Sequence, residues 1–551
     1  MTRILIRCDA SLAIGSGHVM RCRTFARELQ RRGASITFLC RRQAGDLIAL
    51  LEQEFQVLAL PELPLALCKG FEGRELYGAW LGCSQNHDAD DCLTALASAG
   101  VSSADWLVVD HYGLDSCWEA QLMDELSGGE FTSKLLVVDD LADRPHRADL
   151  LLDQNFFGAV TDQRYQSLVP SHCRQLLGPH FALLGPEYAQ LHPLVPVRRE
   201  LRRLLVFFGG VDPGNLTGRT LEALMDPALA HLAVDVVVGL QSPHRHVVAD
   251  LVAQRPFTTL HRPLPSLAGL IARADLAIGA GGATTWERVC LKLPTLVVAI
   301  AENQVPFAEA LHQAGHLQLL GEAATVSAKQ IRSELLAWVA DPFQQDAGCD
   351  LTDGMGALRL ALEMLGPKTP IRLRPADSGD EALLLRWAND PQVRASSFSP
   401  DLIGRSDHHN WFRQGLADPN RLQLIATAAD GCPIGQIRFD RQPRSVQGGS
   451  AEAMVGLSLD RCARGFGLAA DLVRLGLQVM EQAWGPDIEA VAEVLTTNSA
   501  SNACFSRAGF VQEPISPVAP PSRAANRWRY RPAASPSSAI AAAGSIDTCQ
   551  S

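Results

Sequence analysis

Residues 1 to about 195 alternate short apolar runs with amphipathic stretches. The runs at 4–6, 35–39, 106–109 and 135–138 have the length of buried parallel strands, and the pattern over 19–32 between the first two is helical. Such alternation predicts a doubly wound α/β domain over 1–195. A second set of runs follows at 203–208, 234–238, 276–278 and 295–300. It predicts a second Rossmann-like half over 196–366, with a ligand cleft between the two halves. After the Gly/Pro-punctuated stretch 365–370 the pattern changes. Apolar runs at 422–427 and 433–439 flank Asp430-Gly431, a hairpin signal, and a strand at 454–459 leads into a glycine loop. These features define a third α/β domain over 371–533. From 534 to 551 Pro, Ser and Ala dominate, and a disordered tail is expected.

Composition narrows the partners. At 551 residues the chain exceeds one ordinary core, and three or four domains are expected. A net charge of −11 argues against a nucleic-acid or anionic-membrane partner, while leaving room for a local basic pocket. The 14 cysteines show neither a Cys-x-x-Cys pair nor zinc spacing, so reduced thiols and no structural metal are expected. No stretch has the apolar length of a signal peptide or a membrane span, which points to the cytoplasm.

Candidate chemistry lies at the glycine loops. Gly15 and Gly17 join the first strand to the first helix, where glycines let backbone N–H groups approach a phosphate. A Gly-x-Gly turn alone is a tight connection; His18 adds chemistry. At the mouth of a helix the macrodipole disfavours imidazolium and leaves a neutral base near pH 7. Asp9 either orients His18, binds substrate or caps the loop. Gly281, Gly282, Ala283, Thr284 and Thr285 repeat the strand-loop-helix plan, with amides placed to stabilise a diphosphate as its glycosidic bond breaks. Glu287 either accepts hydrogen bonds from ribose hydroxyls or complements the helix dipole, an effect of about 0.3–1 kcal/mol. Asp110-His111-Tyr112 follows an apolar strand and either faces the cleft or serves structural loop bonding, the preferred reading, and Asp139-Asp140 either binds substrate or caps a loop. His87-Asp88-x-Asp90-Asp91 reads as a solvated acidic turn rather than a metal cluster.

Taken in order, Arg7-x-Asp9, Ile14-Gly-x-Gly-His-Val-Met-Arg21, Val109-Asp110-His111-Tyr112-Gly113, Asp139-Asp140-Leu141-Ala142-Asp143-Arg144, Leu152-Asp153-Gln154-Asn155, Phe208-Gly-Gly-x-Asp212-Pro213, Thr-Thr-Trp-Glu287 and Glu302-Asn303-Gln304 resemble the UDP-sugar hydrolases of pseudaminic acid biosynthesis. The match spans most of residues 1 to about 320. That family is of GT-B type, related to the glycosyltransferase that adds N-acetylglucosamine to the peptidoglycan lipid precursor. The resemblance implies metal-independent, inverting hydrolysis of UDP-2,4-diacetamido-2,4,6-trideoxy-β-L-altropyranose to free sugar and UDP, with His18 as general base. It places Asp9, Gly15, Gly17, Arg21, Asn303 and Gln304 on the substrate side. Gly210, Asp212, Gly281, Gly282, Ala283, Thr284, Thr285 and Glu287 fall on the nucleotide side.

The later loop, Arg464-Gly465-Phe466-Gly467-Leu468-Ala469, and the downstream Asn498-x-x-Ser501-x-x-x-Phe505-x-x-x-Gly509-Phe510 resemble the GNAT N-acetyltransferases over residues 371 to 531. The resemblance implies acetyl-CoA as acetyl donor. Its pyrophosphate would lie on the turn of Arg464, Gly465, Gly467, Leu468 and Ala469, its pantetheine arm along Leu457 and Leu459, with Asn498 nearby. Phe505 stands where many members carry a tyrosine acid, and a phenyl ring cannot protonate the leaving thiolate. Cys504 and Ser506 flank it. Glu452 is either a base for the incoming amine or an exposed strand-end carboxylate. Trp387-Ala388-Asn389-Asp390 and His409-x-Trp411-Phe412 resemble acetyltransferases of amino sugars or protein N termini, although both tryptophans serve equally well as helix packing.

Together these readings point to a bifunctional enzyme whose C-terminal domain acetylates a UDP-4-amino-sugar and whose N-terminal half hydrolyses the product. The expected ligands are UDP-sugars and acetyl-CoA, with no metal, nucleic acid or membrane. The alternatives are a GT-B glycosyltransferase with an organic acceptor, or a nucleotide-sugar sensor fused to a protein acetyltransferase.

Overall fold

The computed structural model describes residues 2–63, 73–127, 132–196, 198–239, 242–262, 264–341, 351–366, 371–428, 431, 433–442, 451–513 and 524–532. Linker positions 367–370, turn positions 429–430 and the 534–551 tail lie outside the described residues. The chain divides into two compact units, Met1–Ala361 and Leu362–Ser551.

In the first unit, β1 (Arg3–Cys8), β2 (Ser35–Arg41), β3 (Gln56–Leu60), β4 (Trp106–Asp110), β5 (Lys134–Val138), β6 (Leu150–Asp153) and β7 (Arg174–Leu177) form a parallel sheet. Its order is β3-β2-β1-β4-β5-β6-β7. Every residue of β4 is buried, as expected of a central parallel strand covered on both faces. The chain runs outward from β1 to β3 and returns at β4, so a crevice opens at the carboxyl ends of β1 and β4.

A second parallel sheet repeats the plan with β8 (Arg203–Phe207), β9 (Ala233–Val237), β10 (Thr258–His261), β11 (Leu276–Ala280), β12 (Thr295–Ala299) and β13 (Gln318–Glu322), in the order β10-β9-β8-β11-β12-β13. Its reversal lies between β8 and β11. The edge strands β10 and β13 bury too few side chains to stand out as apolar runs, which is why the sequence pattern passes over them.

The helix Gly17–Arg31 buries Val19, Cys22, Phe25, Ala26 and Leu29 at three- and four-residue spacing. Phe25 is fully buried, and Phe25→Ala would cost about 3–5 kcal/mol. The polar members of the same face, His18 and Arg21, sit in its first turns and build the site. At the other end of the unit, the helix Gly356–Leu365 packs back on the chain before residue 196. A Cβ on Gly356 would fall 2.3 Å from the Ala182 carbonyl oxygen, and Arg359 Nη1 donates to the His180 carbonyl at 2.7 Å.

The second unit holds β14 (Arg372–Pro375), β15 (Arg421–Thr427), β16 (Pro433–Arg441), β17 (Ala451–Leu459), β18 (Ile488–Leu495), β19 (Val511–Gln512) and β20 (Ala525–Tyr530). They order as β14-β15-β16-β17-β18-β20-β19. All pairs are antiparallel except β17 with β18. β15 and β16 form the expected hairpin. The β17–β18 ladder runs only from Ala451 to Met454; β17 continues to Leu459 without it, and β18 stays with β20. A wedge therefore opens between the two strands. The helix Leu468–Trp484 lies on the Ile437 face, where a Cβ on Gly476 would come 2.8 Å from Ile437 Cδ1. Leu384, Trp387 and Phe412 pack on Ile425, on the opposite face.

Candidate active site

The β1–β4 register sets Cys8 beside Asp110, so Asp9, Asp110, His111 and Tyr112 gather at the crevice with the loop that precedes the helix Gly17–Arg31. Gly15 in that loop has φ +81°, a conformation open to glycine, and its N–H bonds the Ser11 carbonyl at 2.8 Å. His18 Nδ1 lies 2.6 Å from Asp110 Oδ1. Asp110 also accepts from Arg21 Nε and Nη2, each at 2.6 Å. Burial pushes the Asp110 carboxyl up, but Arg21 and His18 outweigh it and hold the group well below the usual carboxylate range. An ionised carboxylate only accepts, so the His18 proton stays on Nδ1 and Nε2 is left as an acceptor. The Tyr112 ring stands edge-on to His18 at 4.5 Å, and its hydroxyl donates to Asp140 Oδ2 at 2.5 Å, beside Arg21 Nη1 at 2.6 Å.

Two sequence expectations change here. The carboxylate that orients His18 is Asp110, from the segment assigned to loop bonding, and Asp9 does not touch the imidazole. Asp9 is fully buried, and its Oδ1 takes Arg7 Nη1 at 2.6 Å and the Arg41 N–H at 2.7 Å. Its Oδ2 faces His111 Nε2 at 3.6 Å. His111 Nδ1 accepts from the Gly113 N–H at 3.0 Å, and burial pushes this imidazole down to about 4. Asp88, expected in a solvated turn, is fully buried on the helix Gln85–Ser98 and takes Arg7 Nη2 at 2.8 Å, Arg41 Nη2 at 2.6 Å and Trp118 Nε1 at 3.0 Å. Among the described residues no group of three or more His, Cys, Asp or Glu is arranged to hold a metal ion.

The second sheet brings its glycines to the same cleft. A Cβ on Gly239 would fall 1.9 Å from the Gly210 carbonyl oxygen, so only glycine lets these backbones touch. The Cβ position of Gly210 is 3.8 Å from Ser16 Oγ; the loop after β8 therefore meets the His18 loop. Asp212 spends both carboxylate oxygens on the Leu216 and Thr217 N–H groups, each at 2.9 Å, and braces the start of the helix Leu216–Ala223. Gly281 and Gly282 follow β11, and Gln304 packs over both, 3.4 and 3.8 Å from their Cβ positions. Gln304 thus lies on the Gly281–Gly282 loop itself, next to half-buried Asn303. Ala283 is exposed and Thr284 half-buried, while the Thr285 hydroxyl accepts from Arg288 Nη2 at 3.1 Å. Burial pushes the Glu287 carboxyl up to about 7, against the pull of the Tyr188 hydroxyl and Arg288.

In the C-terminal unit the wedge supplies a backbone edge. The Asp460 N–H bonds the Ile434 carbonyl on β16 at 2.9 Å, and strand alternation gives Ser458 and Gly456 to the same side. Val455 and Leu457 then direct their N–H and C=O groups into the gap. The Leu459 carbonyl accepts from Arg464 Nε at 2.9 Å. Gly465 and Gly467 have φ +86° and +79°, and Gly467 starts the helix Leu468–Trp484, leaving the first amides of that helix, at Leu468 and Ala469, without helical partners. The Arg464 side chain braces this turn, with Nη1 on Asp390 Oδ1 at 3.0 Å and Gln392 Oε1 at 2.8 Å. Asn498 caps the helix Ser499–Arg507 through the Ser501 N–H at 3.0 Å. Phe505 is buried against Phe510, ring centroids 5.1 Å apart; burial pushes the neighbouring Cys504 thiol up to about 11, and Ser506 is exposed. Glu452 is held by Arg527 and Arg529, each at 2.8 Å, which favours the strand-end reading over the base. Trp387 is buried and donates to Asp460 Oδ2 at 2.8 Å, and Trp411 lies under the Arg421 and Arg438 guanidinia.

Residues 371–511 match the acetyltransferase (GNAT) domain family. The C-terminal unit carries a GNAT domain. The wedge between β17 and β18 and the turn at Gly465 and Gly467 both lie within the matched residues. The chain is also homologous to the spore coat polysaccharide biosynthesis protein SpsG of Bacillus subtilis, 24% identical over 360 residues that cover 64% of this chain and 95% of that protein. A Methanocaldococcus jannaschii protein is 20% identical over 453 residues, 79% of this chain and 82% of its own length. Among solved structures, Acinetobacter baumannii MurG aligns with 66% of this chain and 99% of its own at 13% identity, TM-score 0.42. Vibrio cholerae spermidine N-acetyltransferase in complex with CoA and spermine covers 29% of this chain and 94% of its own at 14% identity, TM-score 0.26.

Proposed function

We propose that the chain is a bifunctional nucleotide-sugar enzyme of pseudaminic acid biosynthesis, acting in the cytoplasm. In this reading the C-terminal domain transfers acetyl from acetyl-CoA to the 4-amino group of UDP-4-amino-4,6-dideoxy-N-acetyl-β-L-altrosamine. The N-terminal unit hydrolyses the resulting UDP-2,4-diacetamido-2,4,6-trideoxy-β-L-altropyranose. The observation that carries the hydrolase half is His18, its Nδ1 on ionised Asp110 and its Nε2 left free in the cleft faced by the Gly210 loop. His18 Nε2 takes a proton from water as the water oxygen bonds to the anomeric carbon. The anomeric C–O bond to the diphosphate breaks, and UDP leaves with the electron pair. Backbone amides at Gly281 to Thr285 meet the charge that grows on the diphosphate, and Glu287 accepts from the ribose hydroxyls. Similarity to a spore coat polysaccharide biosynthesis protein supports the nucleotide-sugar class.

For the acetyl-transfer half, the gap-facing groups of Val455 and Leu457 hold the pantetheine arm, and the turn after Arg464 holds the pyrophosphate. The acceptor amine attacks the thioester carbon and gives up a proton to solvent, the C–S bond breaks, and CoA leaves as the thiolate. With Phe505 at the usual tyrosine position, solvent supplies the proton to that thiolate.

The test is UDP release from the diacetamido UDP-sugar. Wild type is expected to release UDP without any added acceptor, and His18→Ala to be slower by about 10²–10⁴-fold, the usual weight of a general base. Equal rates in the two proteins would remove His18 from the chemistry. UDP release that needs an added sugar acceptor would reassign the unit to glycosyl transfer.

A further inference from the structure

Asp140, Asn155 and Trp286 belong to motifs that neither substrate contact nor base catalysis has yet used. They lie on one hydrogen-bonded chain that starts at His18. Asp110 binds His18 Nδ1 and Arg21, and Arg21 Nη1 donates to Asp140 Oδ2 at 2.6 Å. Asn155 Nδ2 donates to Asp140 Oδ1 at 2.8 Å, and Asn155 Oδ1 accepts from Trp286 Nε1 at 3.3 Å. Tyr112 gives a second path, its hydroxyl on Asp140 and its ring on His18.

The ends of this chain matter. His18 belongs to the first sheet's crevice, whereas Trp286 sits on the helix Thr284–Cys290 between Thr285 and Glu287, at the nucleotide loop. The Trp286–Asn155 bond crosses from one half to the other and is the longest link in the chain. Chemistry selects the amide at 155. Indole only donates and an ionised carboxylate only accepts, so the group between them must accept on one side and donate on the other, with its flip state determined. Asn155 is 6% exposed and Trp286 1%, so little water competes for either bond. A buried network of this kind transmits a shift in one member to the rest, because each alternative leaves a polar group unpaired.

We propose that Asn155 is a positioning residue that couples the nucleotide-binding helix to the His18–Asp110 pair. Docking of the nucleotide at the start of that helix sets Trp286, and through Asn155, Asp140 and Arg21 it sets the orientation of the base. The coupling rests on the hydrolase reading, and the experiment separates the two. Trp286→Phe, Asn155→Ala and the double variant of the full chain are compared in UDP affinity by calorimetry and in steady-state UDP release from the UDP-sugar. The single variants are expected to bind UDP within about twofold of wild type and to lose about tenfold in kcat. The double variant should be no slower than Asn155→Ala, because both changes cut one chain. Retained UDP affinity also reports that Trp286→Phe has folded. Multiplying losses in the double variant, or weakened UDP binding with kcat intact, would overturn the coupling and leave Trp286 as part of the nucleotide pocket alone. Wild-type protein that binds UDP yet releases none from the UDP-sugar would overturn the hydrolase reading itself, and the coupling with it.

Discussion

At the scale of single residues, the site depends on which protonation state each buried group is held in. Asp110 is kept ionised by Arg21 and His18, and Asp110→Asn would replace the acceptor with an amide that also donates, spoiling the tautomer that leaves His18 Nε2 free. UDP release should fall by about 10²–10⁴-fold in steady-state assay, as for loss of the base itself; a fall of less than tenfold would separate Asp110 from catalysis. Glu287, with its carboxyl near 7 in the free protein, makes a different prediction. Ribose hydroxyls that donate to it favour the ionised form, so UDP binding at pH 7 should release a fraction of a proton, read as a buffer-dependent binding enthalpy. Glu287→Gln should abolish that dependence. His111 bears on stability. Its imidazole is held near 4 against about 6.5 in an unfolded chain, so the unfolded state binds more protons between these values and stability falls as pH drops from about 6.5 to 4. The loss is at most about 3 kcal/mol, and His111→Gln should flatten it in denaturant titrations across that window. An unchanged slope would place the pH sensitivity elsewhere. The loop that carries His18 was legible because its strand, glycines and helix are contiguous in the chain. Its partner was not, because Asp110 is 92 positions away and joins His18 only through the β1–β4 register.

At the scale of elements, the proposed binding rests on two glycine turns and one wedge. Gly467 has φ +79° at the head of the helix Leu468–Trp484, so a β-branched residue there would be strained by about 1–2 kcal/mol and would redirect the first amides of the helix. Gly467→Val is therefore expected to raise the KM for acetyl-CoA by tenfold or more on the order of magnitude of lost phosphate bonds, while leaving UDP release by the other unit unchanged. An unaltered KM would show that the turn does not hold the pyrophosphate. Central strands β1, β4, β8 and β11 stood out in the sequence because burial on both faces makes them continuous apolar runs. The edges β10 and β13 are half polar and did not. The wedge could not be read at all, since the sequence of β17 does not record where β18 stops pairing with it. Asp88 failed for a related reason: an acidic cluster reads as solvated until Arg7 and Arg41, from the strands β1 and β2, are seen to close on it.

At the scale of the molecule, the two candidate sites fall in two compact units of one chain. Each unit has its own sheet or pair of sheets and its own candidate ligand loops, so the two chemistries should be separable by point changes. His18→Ala is expected to keep the wild-type KM for acetyl-CoA and the rate of CoA thiol release, and Gly467→Val to keep UDP release. Loss of both activities in either variant would mean that the units do not work independently. The measurement that bears most directly on the whole account is a single NMR time course of the full chain with acetyl-CoA and the UDP-4-amino-sugar. The 4-acetamido UDP-sugar is expected first and then free sugar with UDP, with His18→Ala stopping at the first product. Acetylation in wild type with no later loss of the anomeric UDP signal would contradict it.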